Sequence, residues 1–240
     1  MPELLKHKNN DFNPELFGNL FNVYDLHSFE SMYLLSHEYE LPSFEKELKK
    51  DLIGKTKLVL IAADPDNYEK IDKYSPELIQ YFKSLGVSDA KVIDHRVSTF
   101  AALKYIQNAD VVFLMGGNQK RQMEFLKEYE LDKLLETFKG IIIGRSAGAM
   151  NLGKVVLWSD DNYAEATKFS NYEGLGFCNL IIAPHFTLND YIRPEKFLKT
   201  KLDIIGLPET SFIKIDKYGI QTFFGEYYIK ENNKIVKIDN

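Results

Sequence analysis

A serine lies in a glycine-rich turn directly after a run of isoleucines. The segment Lys139–Gly153 reads KGIIIGRSAGAMNLG, and its Gly144, Ser146 and Gly148 match the pattern G-x-S-x-G. In a nucleophile elbow this pattern joins a strand to a helix through a strained turn, whose glycines approach too closely to carry a Cβ. Backbone N–H groups of the following helix then face the serine hydroxyl, where they can stabilise an oxyanion. Ser146 is therefore a candidate nucleophile; the alternative is a tight turn in which it only caps the next helix.

A serine nucleophile needs a base, and the base needs an acid that orients it. His185 lies just past the apolar run NLIIAP, a position that a purely structural histidine can also occupy. Glu209 follows Pro208 in IIGLPET, where its carboxylate either turns inward or stays a surface group. His95, in IDHR, is a weaker candidate for the base. The other histidines lie in the N-terminal region or in a polar segment: His7, His27 and His37.

Strand-like and helix-like patterns alternate through the first 150 residues, which predicts a parallel sheet with helices on both faces. The predicted strands are 31–36, 56–64, 90–95, 110–117 and 140–144. The predicted helices are Leu41–Leu52, a helix capped by Ser75 and ended by Gly86, Thr99–Asn108, and Gln119–Phe138 with a break near Glu130. Ligands bind beyond the carboxyl ends of strands in such sheets. Both MGGN and GRSAGAM lie at that edge.

The two ends of the chain differ from this pattern. In the final third, NLIIAPHF, TSFIKIDKYG, IQTFFGEYYIKENN and KIVKID predict further strands, the last ones in antiparallel hairpins that turn at Gly219 and at Asn232–Asn233. Residues 1–30 show no clean period, and we interpret them as an N-terminal extension with a short helix around Pro14–Phe21. The expected domain organisation is this extension followed by a single α/β domain over residues 31–240.

Composition and charge exclude several classes of protein. The net charge of −5 and a pI near 5.6 argue against nucleic acid or an anionic membrane as the main partner. The single cysteine, Cys178, forms no intramolecular disulfide and no cysteine-rich zinc site. No run reaches the ~20 apolar residues of a membrane span, and the first residues lack a signal-peptide core. We expect a cytoplasmic protein.

Three motifs in one order carry a family resemblance. GRSAGAM, then APHF, then IGLPE, with FLMGGN before them, resemble the serine peptidase family that contains peptidase E (aspartyl dipeptidase) and cyanophycinase. The resemblance covers about residues 31–240. It implies a flavodoxin-like or class I glutamine-amidotransferase-like three-layer sandwich, with a mostly parallel central sheet and C-terminal antiparallel hairpins.

The resemblance also implies roles for the three candidate residues. Ser146 resembles the nucleophile, His185 the base that later protonates the leaving amine, and Glu209 the acid that orients the imidazole. Their order along the chain differs from that of α/β-hydrolases, in which the acid precedes the histidine. The resemblance therefore favours the sandwich fold over the hydrolase fold.

The same resemblance implies an oxyanion hole. It would consist of the N–H group of Ala147 together with that of Gly116 or Gly117. Asn118 either supports this glycine turn or caps the helix that follows. No metal and no organic cofactor is implied.

Substrate recognition is where the chain departs from the family. The family's Asn-Asp-Met-Pro type segment corresponds here to LWSDDNYAEATKF, in which Asp160 and Asp161 either bind the substrate's amino group or are ordinary loop residues. An acidic substrate side chain needs a cation nearby. Arg145 and Arg193 are nearest in sequence, and Lys168 is a third candidate. Arg145 replaces a tryptophan common in peptidase E, and it either binds a carboxylate or pairs with an acid at the surface.

We therefore expect a serine exopeptidase for short peptides, foremost dipeptides with N-terminal aspartate, that works through an acyl-enzyme. Its partner is a small peptide, and the resemblance admits a homodimer. A cyanophycinase-like hydrolase of β-aspartyl-arginine peptides is the alternative enzyme, which an acidic pocket from Asp160, Asp161 and Glu165 would favour. A catalytically silent homologue that binds a small amino-acid-like ligand is the alternative outside enzymes.

Overall fold

The computed structural model describes residues 5–7, 28–37, 39–158, 170–187, 204–231 and 234–239. Its strands are β1 Leu5–His7, β2 Ser31–Leu35, β3 Lys57–Ile61, β4 Asp89–Ile93, β5 Val111–Leu114, β6 Ile141–Arg145, β7 Val155–Trp158, β8 Ser170–Glu173, β9 Ile181–Pro184, β10 Ile204–Leu207, β11 Phe212–Asp216, β12 Gln221–Phe224, β13 Tyr227–Glu231 and β14 Lys234–Ile238. Its helices are α1 Pro42–Asp51, α2 Tyr68–Ser84, α3 Thr99–Gln107, α4 Gln119–Glu128, α5 Leu131–Leu135 and α6 Ala147–Leu152.

A seven-stranded sheet forms the centre, with the strand order β12-β11-β2-β6-β5-β3-β4. The five strands from β2 to β4 run parallel, and helical crossovers connect them in the chain order β2, β3, β4, β5 and β6. Strands β11 and β12 add an antiparallel hairpin beside β2, and the turn includes Gly219 at a positive φ. The expected fold class, a mostly parallel α/β sheet with C-terminal antiparallel hairpins, is confirmed.

Helices cover both faces of the central sheet. Along β2, Met32 and Leu34 belong to one buried cluster and Tyr33 and Leu35 to another, as the alternation of side chains along a strand requires. The Tyr33 side packs against α1 and α2, and the Met32 side against α3 to α6. These layers hold the carboxyl ends of the parallel strands in fixed register.

A second sheet brings the C-terminal candidates to the same region. Its order is β1-β14-β13-β10-β9, in which β9 and β10 run parallel and end next to each other. Strand β1, within the predicted extension, pairs in parallel with β14. The predicted helix at Pro14–Phe21 and the Asn232–Asn233 turn lie outside the described residues. The division into an extension and one domain remains a prediction.

Two helix boundaries test the sequence patterns. The predicted break near Glu130 is confirmed, because this residue has φ 55° between α4 and α5. The predicted start of α2 at Ser75 is wrong: the helix begins at Tyr68, and the side chain of Asn67 accepts a hydrogen bond from the Lys70 N–H. The apolar face already includes Ile71, one turn before Ser75, so the helix starts earlier and Pro76 lies inside it.

Candidate functional site

Ser146 lies between β6 and α6 in a strained backbone conformation. Its φ is 52° and its ψ −110°, a region that residues with a side chain rarely occupy. Its N–H donates to the carbonyl of Leu35 at 2.9 Å, which ties the turn to the neighbouring strand β2. Its side chain makes no capping hydrogen bond to α6. The alternative of a simple helix cap is therefore wrong, and the hydroxyl is held clear of the helix.

The two glycines of the motif are required by close backbone approach. A Cβ on Gly144 would lie 2.6 Å from the carbonyl carbon of Gly148, and a Cβ on Gly148 would lie 2.3 Å from the carbonyl oxygen of Leu114. Both distances are far shorter than van der Waals contact. The turn therefore has the crowding that the sequence pattern predicts for a nucleophile elbow.

His185 follows β9 and reaches Ser146 from the second sheet. Its Nε2 lies 2.8 Å from the Ser146 Oγ, within hydrogen-bond distance. Its backbone adopts φ 57° and is fixed by its own N–H, which donates to the Ser36 Oγ at 2.7 Å. The fully buried Ser36 hydroxyl in turn donates to the carbonyl of Leu207 at 2.8 Å. Ser36, directly after β2, is thereby linked to β9 and β10, the two strands of the second sheet that precede His185 and Glu209.

Glu209 lies in the turn after β10, on the other side of the imidazole. Its Oε1 is 3.4 Å from the His185 Nδ1, a long contact between two solvent-exposed groups. Such contacts are commonly long without substrate and shorten when it binds. The three candidates named from the sequence thus form one continuous line from hydroxyl to imidazole to carboxylate.

The environment favours the neutral form of His185. Although 41% of the His185 side-chain surface is exposed, partial burial lowers the pKa of this imidazole; the nearby His37 and Arg145 lower it further, whereas Glu209 raises it. The net direction is downward, so the ring is uncharged at neutral pH. A neutral imidazole beside a hydroxyl can accept its proton, which is the condition for a general base.

The glycine turn after β5 lies beside the serine. A Cβ on Gly116 would lie 3.4 Å from the Ser146 Cβ. Gly117 has φ 150°, and a Cβ there would lie 2.9 Å from the Ala63 Cβ. Ala147 is the first residue of α6, where backbone N–H groups have no partner within the helix. Gly116 and Gly117 line the same cavity as Ser146, and Ala147 directly follows Ser146 in the chain.

Asn118 acts as a helix cap in the structure. Its Oδ1 accepts a hydrogen bond from the Arg121 N–H at 3.0 Å at the start of α4. Capping of the following helix is one of the two roles that the sequence suggested for Asn118. The side chain of Asn118 fixes the direction in which the glycine turn enters the helix.

A cavity of about 470 Å³ opens in front of Ser146, enough for a short peptide. Among the residues that the structure describes, its lining includes the cations Arg145 and Lys70. The guanidinium of Arg145 lies 5.5 Å from the ring centre of Tyr39, and the Lys70 Nζ lies 3.2 Å from a carboxylate oxygen of Asp64. The lining is formed by His37, Ala62, Ala63, Asp64, Lys70, Ile71, Tyr74, Met115, Gly116, Gly117, Arg145, Ser146 and His185.

The remaining sequence candidates are not among the residues that the structure places at this site. Asp160, Asp161 and Arg193 lie outside the described residues, as do Glu165 and Lys168. His95 lies elsewhere, in contact with the carboxylates of Asp66 and Glu128. Its ring packs against Phe125 and Tyr129.

Three residues of the site were missed by the sequence analysis: Ser36, His37 and Lys70. Ser36 and His37 directly follow β2, the parallel neighbour of β6, so the rule that ligands gather at strand ends could have found them. The ring centre of His37 is 5.1 Å from that of His185. Among the described residues, His37, His185 and Glu209 are the group that offers metal-ligand atoms within 4.8 Å of one another.

Comparisons with known proteins bear on the family and the fold of this chain. The model of peptidase family S51 matches residues 34–223. The crystal structure of a peptidase from an acI-B1 Actinobacterium is similar, with a TM-score of 0.66 and 20% identity over 89% of this chain and 96% of that chain. A putative peptidase E from Listeria monocytogenes EGD-e is similar with a TM-score of 0.62 and 19% identity, over 81% of this chain and 98% of that chain. A search of curated proteins found no match. At these identities the solved structures establish the fold.

No helix within the described part of the chain is long and apolar enough to cross a membrane.

Proposed function

The chain belongs to peptidase family S51 and is a serine-type peptidase, and we propose that it hydrolyses dipeptides with N-terminal aspartate through Ser146, His185 and Glu209. The observation that carries the proposal is the 2.8 Å contact between the Ser146 Oγ and the His185 Nε2. It joins a hydroxyl on a strained elbow to an imidazole that burial keeps neutral. This combination is the requirement for an activated serine nucleophile.

The reaction follows from the positions of these groups. The Ser146 Oγ attacks the scissile carbonyl while the His185 Nε2 takes its proton. Glu209 stabilises the imidazolium through Nδ1, as the acid of a serine triad does. The imidazolium then protonates the leaving amine, which departs and leaves an ester on Ser146. A water molecule, deprotonated by the same imidazole, hydrolyses this acyl-enzyme and releases the N-terminal residue.

The negative charge of each tetrahedral intermediate needs hydrogen-bond donors. The N–H groups of Ala147 and of Gly116 or Gly117 are the proposed donors, since Ala147 begins α6 directly after Ser146 and both glycines line the cavity together with Ser146. Loss of one donor of this kind typically reduces the rate by on the order of a hundredfold or more. A Cβ at position 117 would lie 2.9 Å from the Ala63 Cβ, so we expect a side chain there to disturb the glycine turn.

The cations of the cavity support an acidic substrate side chain. Arg145 is adjacent to the nucleophile, and Lys70 lines the same cavity. Asp64, the carboxylate of the described lining, is paired with Lys70, so the described lining supports the dipeptidase more than the cyanophycinase-like alternative. A charged hydrogen bond contributes about 1.5–3 kcal/mol, which corresponds to roughly 10- to 100-fold in rate.

Hydrolysis of a dipeptide panel tests the proposal. The panel contains Asp-Leu, Glu-Leu, Ala-Leu, isoaspartyl-Leu and β-aspartyl-arginine, with Ser146→Ala as the control. We expect cleavage of Asp-Leu that is lost in the variant. Serine-dependent cleavage of another peptide would support the mechanism but contradict the preference for N-terminal aspartate. No serine-dependent cleavage of any peptide would favour the alternative of a catalytically silent homologue that binds a small ligand.

A second comparison tests the proposed contact with the substrate side chain. Arg145→Gln should lower kcat/KM for Asp-Leu by roughly 10- to 100-fold, the value of one charged hydrogen bond, and should change that for Ala-Leu much less. Lys70→Gln serves as the matched variant, because it removes the other cation of the cavity. Equal losses for both peptides in Arg145→Gln would contradict a role for Arg145 in recognising the acidic side chain.

We also propose a cytoplasmic location, on the basis of the single cysteine and the acidic composition. Cys178 is buried and unpaired. Cell fractionation with an antibody against the protein tests this proposal, and recovery outside the cytoplasm would contradict it.

A further inference from the structure

Three side chains around the imidazole of His185 form a set that the proposed peptidase reaction does not fully use. His37, His185 and Glu209 each offer one nitrogen or oxygen atom, and these atoms lie within 4.8 Å of one another. All three side chains are exposed, so an ion from solvent can reach them. Glu209 and His185 have proposed catalytic roles, whereas His37 has none.

The distance between the His185 Nδ1 and the Glu209 Oε1 corresponds to that between two ligands of a tetrahedral zinc ion. Zinc binds imidazole nitrogen and carboxylate oxygen at about 2.0–2.2 Å. Two ligands at these distances and a tetrahedral angle lie roughly 3.3–3.5 Å apart. The His185 Nδ1 and the Glu209 Oε1 are 3.4 Å apart, which matches the separation of two ligands on one zinc ion. A rotation of the exposed His37 side chain brings the third ligand into range.

We propose that His37, His185 and Glu209 form an inhibitory Zn²⁺ site that takes His185 out of the catalytic triad. The inhibitory part rests on the proposed function, because it requires that His185 be the base. The donor set of two imidazoles and one carboxylate, with a fourth position left open to water, is one that zinc favours. Mg²⁺ and Ca²⁺ prefer oxygen ligands and do not suit this set.

Inhibition follows from the chemistry of the imidazole ring. In the active form, Nδ1 carries the proton and faces Glu209, and Nε2 is free to accept the proton of Ser146. A zinc ion on Nδ1 displaces that proton, which is taken up at Nε2. The protonated Nε2 can then only donate to the Ser146 Oγ at 2.8 Å and cannot accept from it. Zinc thus blocks the base from the edge of the peptide cavity, whose lining includes His37 and His185.

Binding is measured first, without reference to activity. Isothermal titration of the full-length protein with Zn²⁺ is compared between wild type, His37→Gln and His95→Gln. His95 is a matched control, because it also contacts two carboxylates but lies outside the set. We expect His37→Gln to weaken zinc binding at least about tenfold, since loss of even an outer-shell partner costs that much. His95→Gln should bind as wild type does.

Inhibition is measured second, with each variant compared with its own metal-free rate. Zn²⁺ should inhibit the wild type reversibly, with recovery on addition of EDTA, and Mg²⁺ should have no effect. His37→Gln should require at least about tenfold more Zn²⁺ for the same fractional inhibition.

Equal zinc binding by wild type and His37→Gln, or no binding by either, would overturn the site. Binding at His37 without inhibition of an active enzyme would overturn the inhibitory mechanism. If no peptide is hydrolysed, the titration still decides the site, and the failure belongs to the proposed function.

Discussion

Removal of the Ser36 hydroxyl tests how the fold positions the base. The hydroxyl accepts the N–H of His185 at 2.7 Å and donates to the carbonyl of Leu207 at 2.8 Å. The Leu207 carbonyl also accepts the N–H of Phe186 at 2.9 Å, so it keeps a partner in Ser36→Ala. The N–H of His185 loses its partner. Its backbone is held at φ 57°, which itself costs on the order of 1–2 kcal/mol.

The expected magnitudes differ for stability and for rate. One buried backbone group without a partner lowers the free energy of unfolding by about 1–3 kcal/mol. Relaxation of the turn also moves the imidazole, and a displacement of about 1 Å in a catalytic group can cost roughly a hundredfold. We therefore expect kcat to fall by about that factor with little change in KM, because His185 acts on the transition state and not on substrate binding.

The assay measures kcat and KM on the peptide that the wild type cleaves best, and thermal unfolding in parallel. Ser31→Ala is the matched control, because it removes a hydroxyl from another buried serine of β2, at the opposite end from Ser36. Ser36→Cys keeps a weak donor and acceptor and should give an intermediate kcat. A folded Ser36→Ala protein with the kcat of wild type would refute the reasoning.

The remaining predictions concern the pH profile and the elbow. Because His185 must be neutral and burial lowers its pKa, the acid limb of kcat/KM should lie below the ordinary imidazole value of about 6.5. Glu209→Gln should move this limb to still lower pH, since the Glu209 carboxylate raises the pKa of His185. A wild-type acid limb above about pH 6.5 would contradict the lowered pKa of His185. Gly148→Ala should lower the free energy of unfolding by about 1–3 kcal/mol and reduce kcat, because the new Cβ meets the Leu114 carbonyl. Gly54→Ala, where a Cβ meets open space but φ is 76°, should lower stability through backbone strain and leave kcat unchanged.

Local sequence patterns predicted much of the fold. Strand and helix alternation located the five parallel strands, because fully buried strands have apolar runs that helices interrupt. The predicted break near Glu130 corresponds to a residue in the left-handed region between α4 and α5. The start of α2 was misjudged because Ser75 and Pro76 imitate a helix start, although the apolar face already includes Ile71.

Non-local hydrogen bonds explain what the sequence did not predict. Strand β1 is three residues long and exists through its pairing with β14, more than 200 residues away in the chain. Likewise, Ser36 contacts His185 and Leu207 across two sheets, and no local pattern encodes that contact. The triad candidates were found because the elbow has a local signature and because each partner follows a strand. The contact of His37 with His185 depends on how two sheets meet.

Covalent labelling with an organophosphorus serine reagent tests the central claim, that Ser146 is a nucleophile activated by His185, independently of the substrate. Intact-mass measurement followed by peptide mapping gives both the extent and the position of labelling. We expect a single adduct on Ser146 and none in Ser146→Ala. In His185→Gln, labelling should be at least about a hundredfold slower, which is the lower end of the rate enhancement that a general base provides. No adduct on Ser146, or an equal labelling rate in His185→Gln, would contradict the central claim.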